Sequence, residues 1–215
     1  MSGVIDPVLL GLGANLGDAL TTLAAAVEVL DDVEGFEVVD VSAVYRTAPW
    51  PGPEDPHHVD QDDYLNLVVR ATTTLAPHEL LDELQAVEAA FGRDRAREVR
   101  FGPRPLDIDV LLLGDVVLDD ARLTVPHPRL AERAFALVPA LEVLPGASLP
   151  DGRRLTAIVA ALAAAGGLEG VELELRLEDV AGTGGTRPAR PEGPDAGPAG
   201  FARVGPDAVA REHGA

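Results

Sequence analysis

Two aspartates stand one residue apart at the start of an apolar run in the middle of the chain. Asp107 and Asp109 lead into Val-Leu-Leu-Leu, and the segment 106–113 is predicted to be a buried strand. Side chains at i and i+2 of a strand point to the same face, so the two carboxylates lie side by side. This arrangement suits a divalent cation such as Mg²⁺, which prefers oxygen ligands and often keeps substrate phosphates in its shell. The alternative is a strand that begins in solvent with two hydrated acids.

The basic residues give a second chemical signal, because every one of them is an arginine. The sequence contains 17 arginines and no lysine, and eight of the arginines lie between residues 93 and 133. Without lysine, a P-loop, a protein-kinase site and a Schiff-base site are excluded. An arginine cluster in a chain with a formal net charge of -19 indicates a local site for a polyanion. The alternative is a solvated arginine-rich loop.

The composition limits the remaining classes of protein. With 215 residues and 47% hydrophobic content, the chain can form one substantial core. It has no cysteine, which excludes disulfides, cysteine-bound zinc and thiol nucleophiles. The negative charge disfavours binding to nucleic acid or to anionic membranes. The sequence shows neither a signal-peptide pattern nor a membrane-spanning run, so we expect a cytoplasmic protein.

The periodicity of the apolar residues predicts an α+β fold. Strands are predicted at 8–12, 36–45, 64–74, 106–113, 116–118 and 171–177. Helices are predicted at 77–91, 129–137 and 155–165, and a further helix ends near residue 30 and has Asn15 or Asp18 as its cap. The order βαββαβ is that of a ferredoxin-like core, an antiparallel sheet with packed helices in three αβα layers. We predict one catalytic domain over residues 1–180. Residues 181–215 are rich in Gly, Pro and Ala and are predicted to be a disordered tail.

Three further segments carry candidate ligand groups. The stretch from Gly11 to Gly17 has the spacing G-x-G-x-x-x-G, one residue too long for a dinucleotide fingerprint, and is expected to form a tight strand-to-helix turn. The long, acidic, proline-rich segment 47–63 is predicted to be a lid, with a tolerated insertion as the alternative. Tyr64 and Asn66 share a strand face, which suits recognition of a flat heterocycle, although a core tyrosine is the commoner case.

The segment Arg-Phe-Gly-Pro-Arg-Pro-Leu-Asp-Ile-Asp at 100–109 resembles the signature of one known family, the 6-hydroxymethyl-7,8-dihydropterin pyrophosphokinases of folate biosynthesis. Other motifs fall in the family's order. They are Gly-x-Asn-Leu-Gly at 13–17, Tyr-Arg-Thr-x-Pro at 45–49, Asp-Tyr-Leu-Asn at 63–66, Gln-x-x-Glu at 85–88, Gly-Arg-x-Arg at 92–95, Leu-Thr-Val-Pro-His at 123–127 and Arg-x-Phe at 133–135. The resemblance extends over residues 8–165. It departs from the family pattern at Phe101, where Trp is common, and in the lack of lysine in the loop 95–101.

The resemblance implies a reaction and its cofactors. ATP donates its β,γ-diphosphoryl group to the hydroxymethyl oxygen of the pterin, and AMP is released. Asp107 and Asp109 would hold two Mg²⁺ ions around the triphosphate, and Arg93 and Arg104 would stabilise the charge of the transition state. The chain would then bind ATP and 6-hydroxymethyl-7,8-dihydropterin, with no nucleic-acid or membrane partner. We expect a monomer that could contact neighbouring enzymes of the folate pathway.

The same resemblance implies binding residues for both substrates. Those implied for the nucleotide are Gln85, Glu88, Arg95, Phe101, Ile108, His127 and Arg133. Those implied for the pterin are Thr47, Pro49, Trp50, Tyr64, Asn66 and Phe135. Among these, Tyr64 and Phe135 would enclose the ring and Asn66 would bind its edge. Two alternatives stay open: a palm-like two-metal nucleotidyl transferase, which would release pyrophosphate, and a non-catalytic ferredoxin-like module, which would bind its ligand without turnover.

Overall fold

A six-stranded antiparallel sheet forms the centre of the fold in the computed structural model, which describes residues 3–52, 54–168 and 170–177. The strands are β1 (Ile5–Ala14), β2 (Phe36–Val41), β3 (Val44–Thr47), β4 (Tyr64–Thr73), β5 (Asp107–Leu113), β6 (Leu118–Asp119), β7 (Thr124–Val125) and β8 (Val171–Leu175). The strand order is β5-β1-β4-β3-β8, and β2 also pairs with β4. Strands β6 and β7 form a separate small hairpin.

Helices cover both faces of the large sheet. They are α1 (Ala19–Asp31), α2 (Pro77–Ala90), α3 (Ala134–Val143) and α4 (Leu155–Ala164), with a 3₁₀ turn at Leu130–Glu132. Val8, Leu10 and Leu12 of β1 are buried in a cluster with α1 and α2, whereas Leu9 is buried in a second cluster with α3 and α4. Because side chains alternate along a strand, β1 is packed on both sides and provides a rigid centre for the sheet.

The predicted α+β class, with an antiparallel sheet and packed helices, is confirmed. Helix α1 begins after Asp18, whose carboxylate accepts a hydrogen bond from the Thr21 N–H at 3.1 Å and so caps the helix. Helix α2 has Pro77 as its first residue and is followed by Gly92, whose φ of 90° ends the helical path. The predicted tail at 181–215 lies outside the described residues. Within the described ranges, no helix is long and apolar enough to cross a bilayer.

The single strand predicted at 36–45 is wrong, because the chain forms two strands there. At Ser42 the backbone N–H donates to the Val68 carbonyl at 2.9 Å, and the Val68 N–H donates to the Ser42 hydroxyl, also at 2.9 Å. The next N–H, that of Ala43, donates to Glu142 of α3 at 3.0 Å. These contacts interrupt the strand ladder, so β2 and β3 follow one another along β4.

Other predicted features also differ, among them β1, which is longer at both ends than the predicted 8–12. The helix predicted at 129–137 is the 3₁₀ turn followed by α3, which extends beyond the predicted end. The short strand predicted at 116–118 is shifted and forms β6. Gly11 and Gly13 lie within β1, and Gly17, with a φ of 64°, makes the turn towards α1. The first two glycines are therefore part of the sheet surface and not of a turn.

Candidate functional site

The two aspartates lie on strand β5 and are paired with two glycines of β1. In the strand register Asp107 is opposite Gly13, and Asp109 is opposite Gly11. Gly13 is in turn opposite Asn66 on β4. A β-carbon added at Gly13 would lie 2.9 Å from the Asn66 Oδ1, so a larger residue would displace that amide. The glycines thus leave an open floor between the aspartates and Asn66.

A pocket lies over this floor and brings most of the predicted site residues together. Those that line it are Thr47, Trp50, Tyr64, Asn66, Phe101, Arg104, Asp107, Asp109, Arg133 and Phe135. The predicted residues that do not line it, all of them described, are Pro49, Gln85, Glu88, Arg93, Arg95, Ile108 and His127. The pocket therefore combines a charged half with a half lined by aromatic rings and an amide.

In the charged half, each aspartate is paired with arginine. Asp107 Oδ1 accepts a hydrogen bond from Arg93 Nη1, and its Oδ2 accepts one from Arg104 Nη1 at 2.9 Å. Asp109 Oδ2 accepts a hydrogen bond from Arg133 Nη1. Burial alone would raise the pKa of Asp107, but the charges of Arg104 and Arg93 outweigh it and hold that pKa below its usual range. The Asp107 carboxylate is therefore ionised, and both of its oxygens are bonded to arginine.

Glu88, predicted to line the nucleotide site, lies beneath this network and anchors it. Its side chain is 1% exposed, and its Oε1 accepts hydrogen bonds from Arg93 Nη1 and from the Ile108 N–H, the latter at 2.8 Å. Its Oε2 accepts a hydrogen bond from Arg95 Nη2. Burial raises the pKa of Glu88, and the Ile108 N–H and the Arg93 charge oppose that rise. Glu88 thus ties α2 to β5 and fixes the position of Arg93.

His127 lies beside Asp109 at the edge of the charged half. Its Nε2 is 3.9 Å from Asp109 Oδ2, and its Nδ1 accepts a hydrogen bond from the Arg129 N–H at 3.1 Å. Because Nδ1 is an acceptor, a neutral ring carries its proton on Nε2, the nitrogen that faces the aspartate. Burial lowers the pKa of His127, which favours this neutral form. His127 can therefore donate one hydrogen bond to an anion beside Asp109.

The other half of the pocket suits a flat ring with polar edges. Asn66 and Thr47 are both buried, and the Asn66 amide donates to the Thr47 hydroxyl at 2.7 Å. The Tyr64 hydroxyl donates to the Gly102 carbonyl at 2.9 Å, which holds its ring at the pocket wall. Phe135 reaches the pocket from the start of α3. Aromatic faces stack on a planar ligand, and an amide can bond its edge with a donor and an acceptor.

Trp50 and Phe101 form a roof where two loops meet. Their rings are edge to face, with centroids 5.8 Å apart. The guanidinium carbon of Arg129 lies 4.3 Å from the Trp50 ring centroid and 5.7 Å from that of Phe101. The predicted lid 47–63 therefore contacts the loop 95–103 at the pocket. Sequence reasoning gave Arg129 no individual role, since it lies between the motifs at 123–127 and 133–135 and belongs to neither.

Asn15 is a second residue to which the sequence analysis assigned no role at the site. Its place in the motif Gly-x-Asn-Leu-Gly at 13–17 was the signal that could have indicated one. It is 6% exposed, and its Nδ2 donates to Gln61 Oε1 and to the Asp62 carbonyl, both at 3.0 Å. Its Oδ1 accepts a hydrogen bond from the Arg104 N–H at 2.9 Å. Gln61 in turn donates to the Phe101 carbonyl at 2.7 Å. Asn15 thus joins both loops to the end of β1.

The donor set of the aspartate pair fits Mg²⁺. Asp107 and Asp109 project from one strand face into one pocket and offer hard oxygen ligands. Among residues 3–52, 54–168 and 170–177, no group of three or more His, Asp or Glu side chains is arranged to hold a metal. Mg²⁺ does not need such a group, since one or two carboxylates suffice when substrate phosphates and water complete its shell.

Paired carboxylates among arginines, next to a pocket for a flat ring, are typical of a metal-dependent enzyme that transfers phosphoryl groups. Residues 9–145 match the family model of 7,8-dihydro-6-hydroxymethylpterin-pyrophosphokinase (HPPK), and this span contains every predicted site residue. The chain therefore belongs to the HPPK family. The family predicted from the motifs is confirmed, and with it the class of enzyme, an ATP-dependent pyrophosphokinase of folate biosynthesis.

Individual relatives agree with the family match. A 2-amino-4-hydroxy-6-hydroxymethyldihydropteridine pyrophosphokinase of Methylorubrum extorquens is 48% identical over 136 residues, which cover 63% of this chain and 81% of the relative. A protein of the same name from Pseudomonas aeruginosa is 40% identical over 158 residues, which cover 74% of this chain and 93% of the relative. A crystal structure of wild-type Plasmodium falciparum HPPK-DHPS with pteroate has a TM-score of 0.58 and 12% identity over 76% of this chain. The chain spans 43% of that structure's length, and the likeness shows the fold alone.

Proposed function

We propose that the pocket binds ATP and 6-hydroxymethyl-7,8-dihydropterin side by side and transfers the β,γ-diphosphoryl group of ATP. The hydroxymethyl oxygen forms a bond to the β-phosphorus, and the bond from that phosphorus to the α,β-bridging oxygen breaks. The hydroxyl proton passes to solvent, and the products are AMP and the pterin diphosphate. The observation that carries the proposal is the row Asp107, Gly13 and Asn66 across three strands, because it brings a carboxylate and an amide to neighbouring positions of one sheet.

We assign the pterin to the half of the pocket with the aromatic rings. Tyr64 and Phe135 enclose the ring, and the Asn66 amide bonds its polar edge. The hydrogen bond from Asn66 to Thr47 supports this, because it fixes the amide before the ligand arrives. Trp50 and the adjoining Pro49 belong to the loop that covers the ring. Burial raises the pKa of Tyr64, so its hydroxyl keeps the proton that it donates to Gly102.

We assign the triphosphate to the charged half. The nucleotide residues proposed for this side are Gln85, Arg93, Arg95, Phe101, Arg104, Ile108, His127 and Arg133, with Glu88 beneath them as the anchor of Arg93. Guanidinium groups bind phosphate oxygens through paired N–H donors, so Arg93 and Arg104 are suited to stabilise charge during transfer. Two Mg²⁺ ions held by Asp107 and Asp109 would neutralise phosphate charge when bound. Transfer of this kind depends on positioning and charge more than on a general base.

We also propose a ferredoxin-like core within one catalytic domain at 1–180, and a monomer that can contact other folate enzymes. The antiparallel order β5-β1-β4, followed by β2 and β3 on the far side of β4, supports the core topology. Light scattering on the purified protein tests the monomer, and the mass of a dimer would contradict it.

The reaction is tested by mixing the protein with Mg²⁺, ATP and the hydroxymethyl dihydropterin and separating the nucleotides. We expect AMP and the pterin diphosphate, and no AMP after addition of EDTA. Asp107→Asn or Asp109→Asn should lower kcat roughly 10²- to 10³-fold or more in a folded protein. The control is Asp115→Asn, an exposed aspartate in the turn after β5, which should keep the wild-type rate.

Two other results would contradict the proposal and favour the rivals. Release of pyrophosphate in place of AMP would indicate a nucleotidyl transferase. Calorimetric binding of ATP without any turnover, under conditions in which the pterin also binds, would indicate a non-catalytic module.

A further inference from the structure

Glu98 occupies one whole side of the Arg93 guanidinium group. Arg93 Nε and Nη2 donate to the two carboxylate oxygens of Glu98, at 2.5 Å and 3.2 Å. On the other side, Arg93 Nη1 donates to Glu88 and to Asp107. A guanidinium group has five N–H donors in a fixed planar fork. Four of the five donors are therefore engaged by carboxylates, and a phosphate can accept two parallel N–H donors of Arg93 only if one of these carboxylates leaves.

The three carboxylates differ in how firmly they are held. Glu88 is 1% exposed and also accepts a backbone N–H of β5 at 2.8 Å. Asp107 is part of β5 and also bonds Arg104. Glu98 lies in the loop between α2 and β5, and its side chain is 20% exposed. Its second arginine contact, to Arg104 Nε, is 3.7 Å long. Glu98 is thus the carboxylate that can leave with the smallest disturbance of the sheet and helix.

We propose that Glu98 is a positioning residue that holds Arg93 while ATP is absent and is exchanged for an ATP phosphate on binding. The inference rests on the proposed function, which places the triphosphate at Arg93. Carboxylate and phosphate both offer oxygens that accept two parallel N–H donors, so they compete for the same side of the fork. Because Phe101 of the pocket roof lies in the same loop as Glu98, loss of the contact between Glu98 and Arg93 also removes a tether of the loop that carries Phe101.

The proposed competition between Glu98 and phosphate predicts whether removal of the Glu98 charge strengthens or weakens ATP binding. If Glu98 only supported the structure of the loop, its removal would weaken ATP binding. If Glu98 competes with phosphate, its neutralisation strengthens ATP binding. For Glu98→Gln we expect the Kd of an ATP analogue with Mg²⁺ to fall about 3- to 10-fold. Glu98→Asp keeps the charge and should restore a Kd within about twofold of wild type.

Titration calorimetry with Mg²⁺ and the α,β-methylene analogue of ATP, which cannot transfer its diphosphoryl group, measures these constants. Asp94→Asn is the matched control, because it removes the same charge from the same loop at an exposed site. We expect its Kd to stay within about twofold of wild type, since exposed charges are screened. An unchanged or weaker affinity in Glu98→Gln, or equal tightening in Asp94→Asn, would overturn the proposal. If Glu98→Gln lacks a cooperative thermal transition, Glu98→Ala is judged by the same criterion.

Hydrogen exchange on the ligand-free protein supplies a readout that does not involve ATP. Residues 95–103 should exchange faster in Glu98→Gln than in wild type, and the exchange of α2 should be the same in both. If residues 95–103 of Glu98→Gln exchange at the wild-type rate, the contact between Glu98 and Arg93 does not hold this loop, and the inference is contradicted. If wild type binds the analogue and Glu98→Gln binds it no more tightly, the Glu98 inference fails and the proposed function stands. If wild type binds no analogue, the proposed function fails and this inference fails with it.

Discussion

The hydrogen bonds of Asn15 predict a loss of stability whose size follows from the structure. Asn15→Ala removes three side-chain hydrogen bonds, to Gln61, Asp62 and Arg104, at lengths of 2.9–3.0 Å. At about 1 kcal/mol each, the unfolding free energy should fall by about 3 kcal/mol. For a protein of this size, that corresponds to a decrease in Tm of about 6–12 °C. Differential scanning calorimetry measures it directly.

Asn66→Ala is a closely matched comparison, because the same atoms are removed from an equally buried site. The two asparagines are 6% and 7% exposed, so the loss of packing is similar. Within the described residues, the Asn66 side chain makes one hydrogen bond, to Thr47 at 2.7 Å. We therefore expect a loss of about 1 kcal/mol from that bond. Equal decreases in Tm for the two variants would refute the reasoning, because burial and not hydrogen bonding would then determine the loss.

Three further measurements follow from the site. Gly13→Ala should weaken pterin binding about 10- to 100-fold and leave ATP binding unchanged, because its β-carbon would lie 2.9 Å from Asn66 Oδ1; calorimetry with each ligand decides this. The hydrogen bond that Arg93 donates to Glu98 holds the pKa of Glu98 below the ordinary value of 4.5. The stability from this contact is therefore present above that pH and is lost as the pH falls through the lowered pKa, so urea unfolding of wild type and Glu98→Gln should converge in acid. Trp50 is the single tryptophan, so the fluorescence of the protein reports on the contact between Arg129 and its ring. The emission should shift to longer wavelength in Arg129→Gln and not in Arg129→Lys. Identical emission spectra for wild type and Arg129→Gln would contradict the ring contact.

Elements whose ends are set by nearby residues could be predicted from the sequence. Helix α2 begins at Pro77, its local start signal, and α1 begins after Asp18, one of the two caps, with Asn15, that the sequence offered. The break between β2 and β3 had no such signal. It depends on the contact of Ser42 with Val68, 26 residues away, and on the contact of Ala43 with Glu142, 99 residues away. Local periodicity carries no information about contacts at that separation.

The residue types of the site could be predicted, but their pairing could not. The i, i+2 spacing alone placed Asp107 and Asp109 on one face, as the structure has them. The burial of Glu88 beneath the arginines follows from the way α2 packs on β5, which no motif reports. The link from Asn15 to Arg104 spans 89 residues and depends on how the second loop returns to the sheet. Motifs therefore identified the components, and the tertiary structure determines their contacts.

The absence of lysine gains a physical meaning from these contacts. In the ligand-free protein, the arginines keep the partly exposed aspartates paired, and Arg93 and Glu88, which are buried, are paired with each other. Under the proposed function, Asp107 and Asp109 would hold Mg²⁺, and the neighbouring guanidinium groups would bind the phosphates. A planar guanidinium group can make the same two-donor contact with a carboxylate and with a phosphate, whereas an ammonium group acts as a point charge. An all-arginine site can thus exchange one anion for another while every buried charge stays paired.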